Sequence, residues 1–156
     1  MLRKAKVAFL CTFLFGLFVT TAHASDYKTS YDVSYALQKN GNSDVSIHVS
    51  VTHSSSKTYV SQFSLGIPNA FKIENVKAKE EQGPATVNIE KNDLTTKLTV
   101  LLNIPKIEND SANSFDLTFT QKNLFTTFAN VWEIVLPVVR DDYSSNYTVS
   151  VTLPSI

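Results

Sequence analysis

Apolar and polar residues alternate with a period of two along most of the chain beyond residue 26. That spacing belongs to a strand with one covered face and one wet face. In YKTSYDVSYAL, Tyr27, Thr29, Tyr31, Val33, Tyr35 and Leu37 share a face. QKNGNSD follows, and Asn40-Gly41 predicts a hairpin turn there. The partner strand, VSIHVSVTH, sets Val45, Ile47, Val49 and Val51 against Ser46, His48, Ser50 and Thr52, the cleanest alternation in the chain. HSSSK predicts another turn, after which Phe63, Leu65 and Ile67 align and Pro68 stops the strand.

The pattern continues with local breaks. In FKIENVKAK the apolar phase slips between Ile73 and Val76, which predicts a β-bulge. EEQGPA reads as a turn at Gly83-Pro84. TVNIE and LTTKLTVLLNI form a hairpin about KND, with Leu94, Leu98, Val100, Leu102 and Ile104 on one face and Pro105 as the stop. KIENDSANS is a polar loop, and FDLTFTQ aligns Phe115, Leu117 and Phe119. KNLFTTFAN has no clear period and is expected to wrap a sheet edge. VWEIVLPVV, apolar on both faces after Glu133, is expected to be a central, doubly covered strand, with Pro137 demanding a bend or an edge. Trp132 is expected in one core with Ile134, Val49 and Leu117. RDDYSSN turns the chain, and Tyr147, Val149, Val151 and Leu153 align in the last strand. About nine strands at this turn spacing predict an all-β fold. The expected form is an immunoglobulin-like two-sheet sandwich of antiparallel strands, with a closed barrel as the alternative. No longer period repeats, which excludes a solenoid or a propeller.

The first 24 residues follow another rule. Arg3, Lys4 and Lys6 precede an uncharged, mostly apolar run from Val7 to Val19, and Ala22-His23-Ala24 supplies an A-x-A exit. This is the pattern of a secretory signal peptide. The apolar run is short of the about 20 residues that a spanning helix needs; an uncleaved anchor is the rival reading. The predicted organisation is therefore 1–24 signal peptide and 25–156 β-sandwich domain, exported and extracytoplasmic or at the cell surface. Cleavage removes Cys11, the only cysteine. Cys11 lies mid-run behind Leu10, so it is not placed for lipidation. The mature domain then has no disulfide, thiolate nucleophile or thiolate metal ligand, and its 132 residues suffice for a core without one.

Charge changes with the cut. The whole chain has 14 basic and 14 acidic residues; losing three basic ones leaves a net charge of −3. No Lys/Arg cluster resembles a phosphate-binding stripe, which argues against nucleic acid. No second apolar run would enter a membrane.

The candidate chemistry is sparse. His48 and His53, five apart, point to opposite faces of one strand and would not meet on one metal. They read as a surface and a strand-end histidine. There is no G-x-S-x-G elbow. Tyr27, Tyr31 and Tyr35 form a stripe, but four residues along a strand span about 13 Å, too far for adjacent sugar rings, so core packing is expected. Glu108, Asp110, Asp141 and Asp142 lie in loops without a calcium-loop pattern. Asn109-Asp110-Ser111 and Asn146-Tyr147-Thr148 match the glycosylation sequon. No catalytic, cofactor-binding or metal residue is assigned, no cofactor is expected, and any ligand-binding residue is unknown.

IENVKAKEEQGPATVNI, NVWEIVLPVV and YTVSVTLPS, taken with YDVSYALQKNGNSDVSIHVSVTH, resemble an exported β-domain of bacteria with reduced genomes. There it precedes a transglutaminase-like, papain-related domain in a longer membrane-associated protein. The resemblance runs from about Tyr27 to Ile156 and rests on loose strand patterns. It implies a cell-surface sandwich and carries over no catalytic residue, because the Cys-His-Asp centre of that family has no cysteine to match here. The expectation is a non-catalytic accessory module, not an enzyme, with a covalently linked catalytic domain encoded downstream. The alternative is a stand-alone surface adhesin or ligand-binding domain for a protein or glycan.

Overall fold

The computed structural model describes residues 27–53, 59–103, 105, 111–128, 131–136 and 144–154. They form ten strands: β1 (Tyr27–Leu37), β2 (Ser43–His53), β3 (Gln62–Pro68), β4 (Lys72–Glu80), β5 (Gly83–Lys91), β6 (Thr95–Leu101), β7 (Ala112–Lys122), β8 (Phe125–Phe128), β9 (Val131–Ile134) and β10 (Ser144–Thr152). Eight of them make one mixed sheet in the order β10-β1-β2-β7-β4-β5-β6-β3, and β8 pairs with β9 apart from it.

The hairpin β1–β2 runs in register from Tyr27↔His53 to Leu37↔Ser43. Its turn works because Gly41 takes φ 86°, a region glycine enters without a Cβ clash, and Asn40 Oδ1 accepts the Asn42 amide at 3.0 Å. β7 pairs with the other edge of β2, setting Ile47 opposite Leu117 and Val49 opposite Phe115. Pairing residues of like phase puts every apolar row on one side. The inner face therefore carries Tyr31, Val33, Tyr35, Val45, Ile47, Val49, Phe115, Leu117 and Phe119, all buried.

β5, β6 and β3 form a second arm of the sheet, with Leu65, Ile67, Leu98 and Val100 buried. The sheet curls until the arms face each other. Phe63 of β3 lies 6.2 Å from the Tyr31 ring and 5.4 Å from the Phe115 ring, in tilted geometry. Among the described residues, the β4–β5 hairpin is the one ladder that joins the arms. Its ladder is three residues long, Ala78↔Ala85 to Glu80↔Gly83. Glu80, buried, accepts the Asn103 amide at 2.8 Å, and Asn103 Nδ2 donates to the Pro84 carbonyl, so the hairpin tip is tied to the end of β6.

Four expectations are corrected. The sheet is mixed, because β10 runs parallel to β1, with Tyr31↔Tyr147 and Val33↔Val149 in register. Side chains alternate identically in either strand direction, so the pattern cannot report it. The described part of VWEIVLPVV is no central strand: among the described residues β9 pairs with β8 alone, and Val131 and Val135 are exposed. Leu94 does not join Leu98, Val100 and Leu102; it is 79% exposed. Asn92 Oδ1 accepts the amides of Leu94 and Thr95, folding Leu94 into the turn before β6 begins. KNLFTTFAN, expected as an irregular wrap, contributes strand β8. The bulge is present: the β4–β7 register shifts between Glu74 and Lys77, with Asn75 at φ 56°. Ile134 packs against the core that holds Val49 and Leu117, whereas the Trp132 side chain lies outside the described ones.

Two substitutions test this packing by urea denaturation. Phe115→Ala is expected to cost about 3–5 kcal/mol through lost contacts and a cavity between the arms. His53 is fully buried and neither ring nitrogen has a hydrogen-bond partner among the described residues. Replacing an unsatisfied polar group by an apolar one of similar size removes a desolvation cost of about 1–3 kcal/mol. His53→Leu is therefore expected to be neutral or stabilising; a loss of several kcal/mol would show that the imidazole has a partner.

Candidate functional site

Three places gather side chains that could do something. The first is the outer face of β1, β2, β7 and β4. In-register pairing lines up Asp32, His48, Asp116 and Lys79 across the four strands. His48 Nδ1 and Asp116 Oδ1 are 2.7 Å apart, each side chain about half exposed. A carboxylate on Nδ1 is how a catalytic histidine is oriented. Here no serine hydroxyl completes the arrangement among the described residues. Ser46 and Ser50 sit two positions from His48 on its face, about 6.6 Å along the strand, and Ser50 Oγ is engaged by Ser114 at 3.2 Å. The face is also open to water. His48 is thus the surface residue expected, holding two strands together by an exposed side-chain hydrogen bond.

The second place is the interior. Tyr31 and Tyr35 are buried and Tyr27 half-buried, so the tyrosine stripe is core. Tyr31 meets Tyr147 edge to face at 6.1 Å. A cavity of about 270 Å³ lies between Tyr35, Tyr147, Leu65, Phe119 and Leu136. Burial, with a smaller contribution from Tyr147, pushes the Tyr35 hydroxyl up to about 12.

The third is a cleft in the sheet itself. Beyond Ala78↔Ala85 the strands β4 and β5 part: among the described residues, Lys72, Ile73, Glu74 and Lys77 of β4 pair only towards β7, and residues 86–91 of β5 only towards β6. The gap holds about 700 Å³ beside Val76, Lys77, Lys79, Ala85 and Val87. It continues past Val76 into a further 370 Å³ beside Lys72, Ile73, Asn75, Ile89 and Lys91. Both volumes fall in the roughly 300–1,000 Å³ range of ligand pockets. The bulge at Asn75 interrupts β4 beside the gap. Ile89 keeps the inward phase of Ala85 and Val87 yet stays 55% exposed, because β4 has swung away from it.

Sequence reasoning found the bulge but not the cleft, since nothing local to β4 or β5 tells where their ladder ends. Among the described residues no three of His, Cys, Asp and Glu come together as a metal site. Asn146 is exposed on β10. Cys11, Glu108, Asn109, Asp110, Arg140, Asp141 and Asp142 lie outside the described residues, as does the predicted signal segment. No helix among the described residues is long and apolar enough to cross a membrane.

No protein-family model and no curated protein matches the chain. Solved structures share similarity with it at low identity. An M1 zinc metallopeptidase from Deinococcus radiodurans matches with 14% identity and a TM-score of 0.49, over 85% of this chain and 33% of that one. A putative protease from Parabacteroides distasonis matches with 11% identity and a TM-score of 0.38, over 64% of this chain and 24% of that one. The chain spans about a third or less of the length of these proteins.

Tyr35 supplies a pH test. Its folded pKa lies above the ordinary tyrosine value, so its contribution to stability is complete below pH 10 and is lost as pH rises towards 12. Tyr35→Phe is expected to move the alkaline unfolding midpoint upward while leaving neutral stability within about 1.5 kcal/mol. An unchanged alkaline midpoint would contradict the burial of this hydroxyl.

Proposed function

We propose that the chain is a non-catalytic, exported β-sandwich module of immunoglobulin-like character that holds or presents a partner polypeptide. The observation that carries this reading is the β4–β5 cleft. It offers two rows of unpaired backbone groups and apolar side chains beside lysines, which are groups suited to holding a polypeptide rather than to breaking a bond. The sheet's curl, with one arm's inner row packed on the other's, supports the sandwich.

The partner is a transglutaminase-like domain encoded downstream, and the module would work outside the cytoplasm or at the cell surface. The resemblance of the strand patterns supports that origin, and the basic, apolar and A-x-A succession at residues 1–24 supports export. A stand-alone adhesin or ligand-binding domain is the second reading, favoured by the openness of the same cleft. Loss of binding to the downstream domain, with retained binding to a host or surface protein, would select it.

An activity screen of the purified chain against peptide, ester and glycan substrates tests the non-catalytic reading. No turnover above background is expected. Reproducible turnover that disappears on His48→Ala or Asp116→Asn, with the fold intact by circular dichroism, would overturn it.

A further inference from the structure

We propose that the β4–β5 cleft receives an extended acidic segment of polypeptide, which enters as an added strand between the two. The proposal deepens the module reading and rests on it only in taking the partner to be protein.

The backbone comes first. Residues 72–74 and 77 of β4, on either side of the bulge at Asn75 and Val76, and residues 86–91 of β5 spend one edge on their neighbour strand and, among the described residues, turn the other to the gap. Among the described residues, free edges also run along β10 and β3, the ends of the eight-strand order. Those offer an incoming strand one partner, whereas the cleft offers one on each side. A strand seated there would pair along both edges, the arrangement that makes strand addition strong and indifferent to much of the side-chain sequence. Six residues at about 3.3 Å each give a seat of about 20 Å. The tip of the hairpin, tied through Glu80, Asn103 and Pro84, closes one end, and Asn69, whose amide and Nδ2 donate to the carbonyls of Leu94 and Asn92, bridges the other, so the segment enters from the outer face, where Ser46, Asp116 and Thr118 border the gap.

The side chains then select the occupant. Lys72, Lys77, Lys79 and Lys91 line the cleft. Its two carboxylates are already engaged: Glu74 with Lys122 at 2.8 Å, Asp116 with His48 at 2.7 Å. Among the described residues the four lysines have no carboxylate partner. Unpaired ammonium groups in a partly enclosed gap favour an anionic guest. On the inward side Val76, Val87 and the exposed Ile89 offer apolar contact. Because a strand's side chains alternate between faces, the guest that satisfies both sides alternates Asp or Glu with Val, Ile or Leu. Lys77 and Lys79 share the outward phase of β4 and meet the acidic row.

The test uses the purified chain and a fluorescein-labelled nonapeptide alternating Glu and Val. Its comparators are the Lys/Val counterpart and a Glu/Val version N-methylated at every second backbone nitrogen, which keeps the charge and removes strand donors. The Glu/Val peptide is expected to bind at least tenfold more tightly than either comparator. Binding should slow hydrogen exchange within 72–77 and 86–91. Lys77→Glu with Lys79→Glu is expected to weaken it tenfold or more, and Lys28→Glu, on β1 away from the cleft, by less than twofold. Equal binding of the N-methylated peptide would mean that lysine charge alone attracts polyanions, and would overturn the strand addition. Equal binding of the Lys/Val peptide, or none of the Glu/Val peptide at millimolar concentration, would overturn it too. Turnover by the chain would sink the module reading and leave this cleft standing; failure of the peptide would do the reverse.

Discussion

One hairpin has to serve both arms of the sheet. β4 is held by β7 and β5 by β6, so the two inner apolar rows can meet only if the hairpin joining them opens. The magnitudes decide the outcome. Continuing the ladder would add a few backbone hydrogen bonds, each worth about 1 kcal/mol net. Folding one arm over the other covers side chains such as Phe115, Leu117, Leu98 and Val100, each worth about 1.5–3 kcal/mol when buried. Burial wins, and the ladder stops after three residue pairs. The bulge at Asn75 absorbs the change of direction, and the Glu80–Asn103 contact keeps the tip closed while the rest opens.

The cleft is thus a consequence of the core. Strand edges left free are normally covered or blunted, because they invite pairing with other chains. Here lysines flank the gap, a common protection against self-association and equally a means of selecting an anionic partner. The outer polar face plays a different part. Its His48–Asp116 pair and the Ser50–Ser114 contact tie β2 to β7.

Much of this was readable from spacing. Period two placed Tyr31, Val33 and Tyr35 inward and His48 outward, because one buried face is enough to set a strand's phase. The slip from Ile73 to Val76 disclosed the bulge for the same reason. What escaped depends on partners distant in sequence. Val149 and Val151 carry the same alternation whether β10 runs with β1 or against it, and both end 40% exposed at the sheet's edge. Leu94 had the right phase and was taken by a turn that the Asn92 side chain closes. Val131 and Val135 looked central by hydrophobicity alone. The cleft was least legible, for its free edges are a matter of which pairs fail to form.

Amide hydrogen exchange along β4 and β5 in the unliganded chain tests the central claim most directly. The split ladder predicts that alternate amides within 72–77 and 86–91, those directed into the gap, exchange rapidly, while their neighbours bonded to β7 and β6 and the amides of β2 are strongly protected. Uniform protection through both strands would mean that β4 and β5 remain paired along their length, and would contradict the account of both the curl and the cleft.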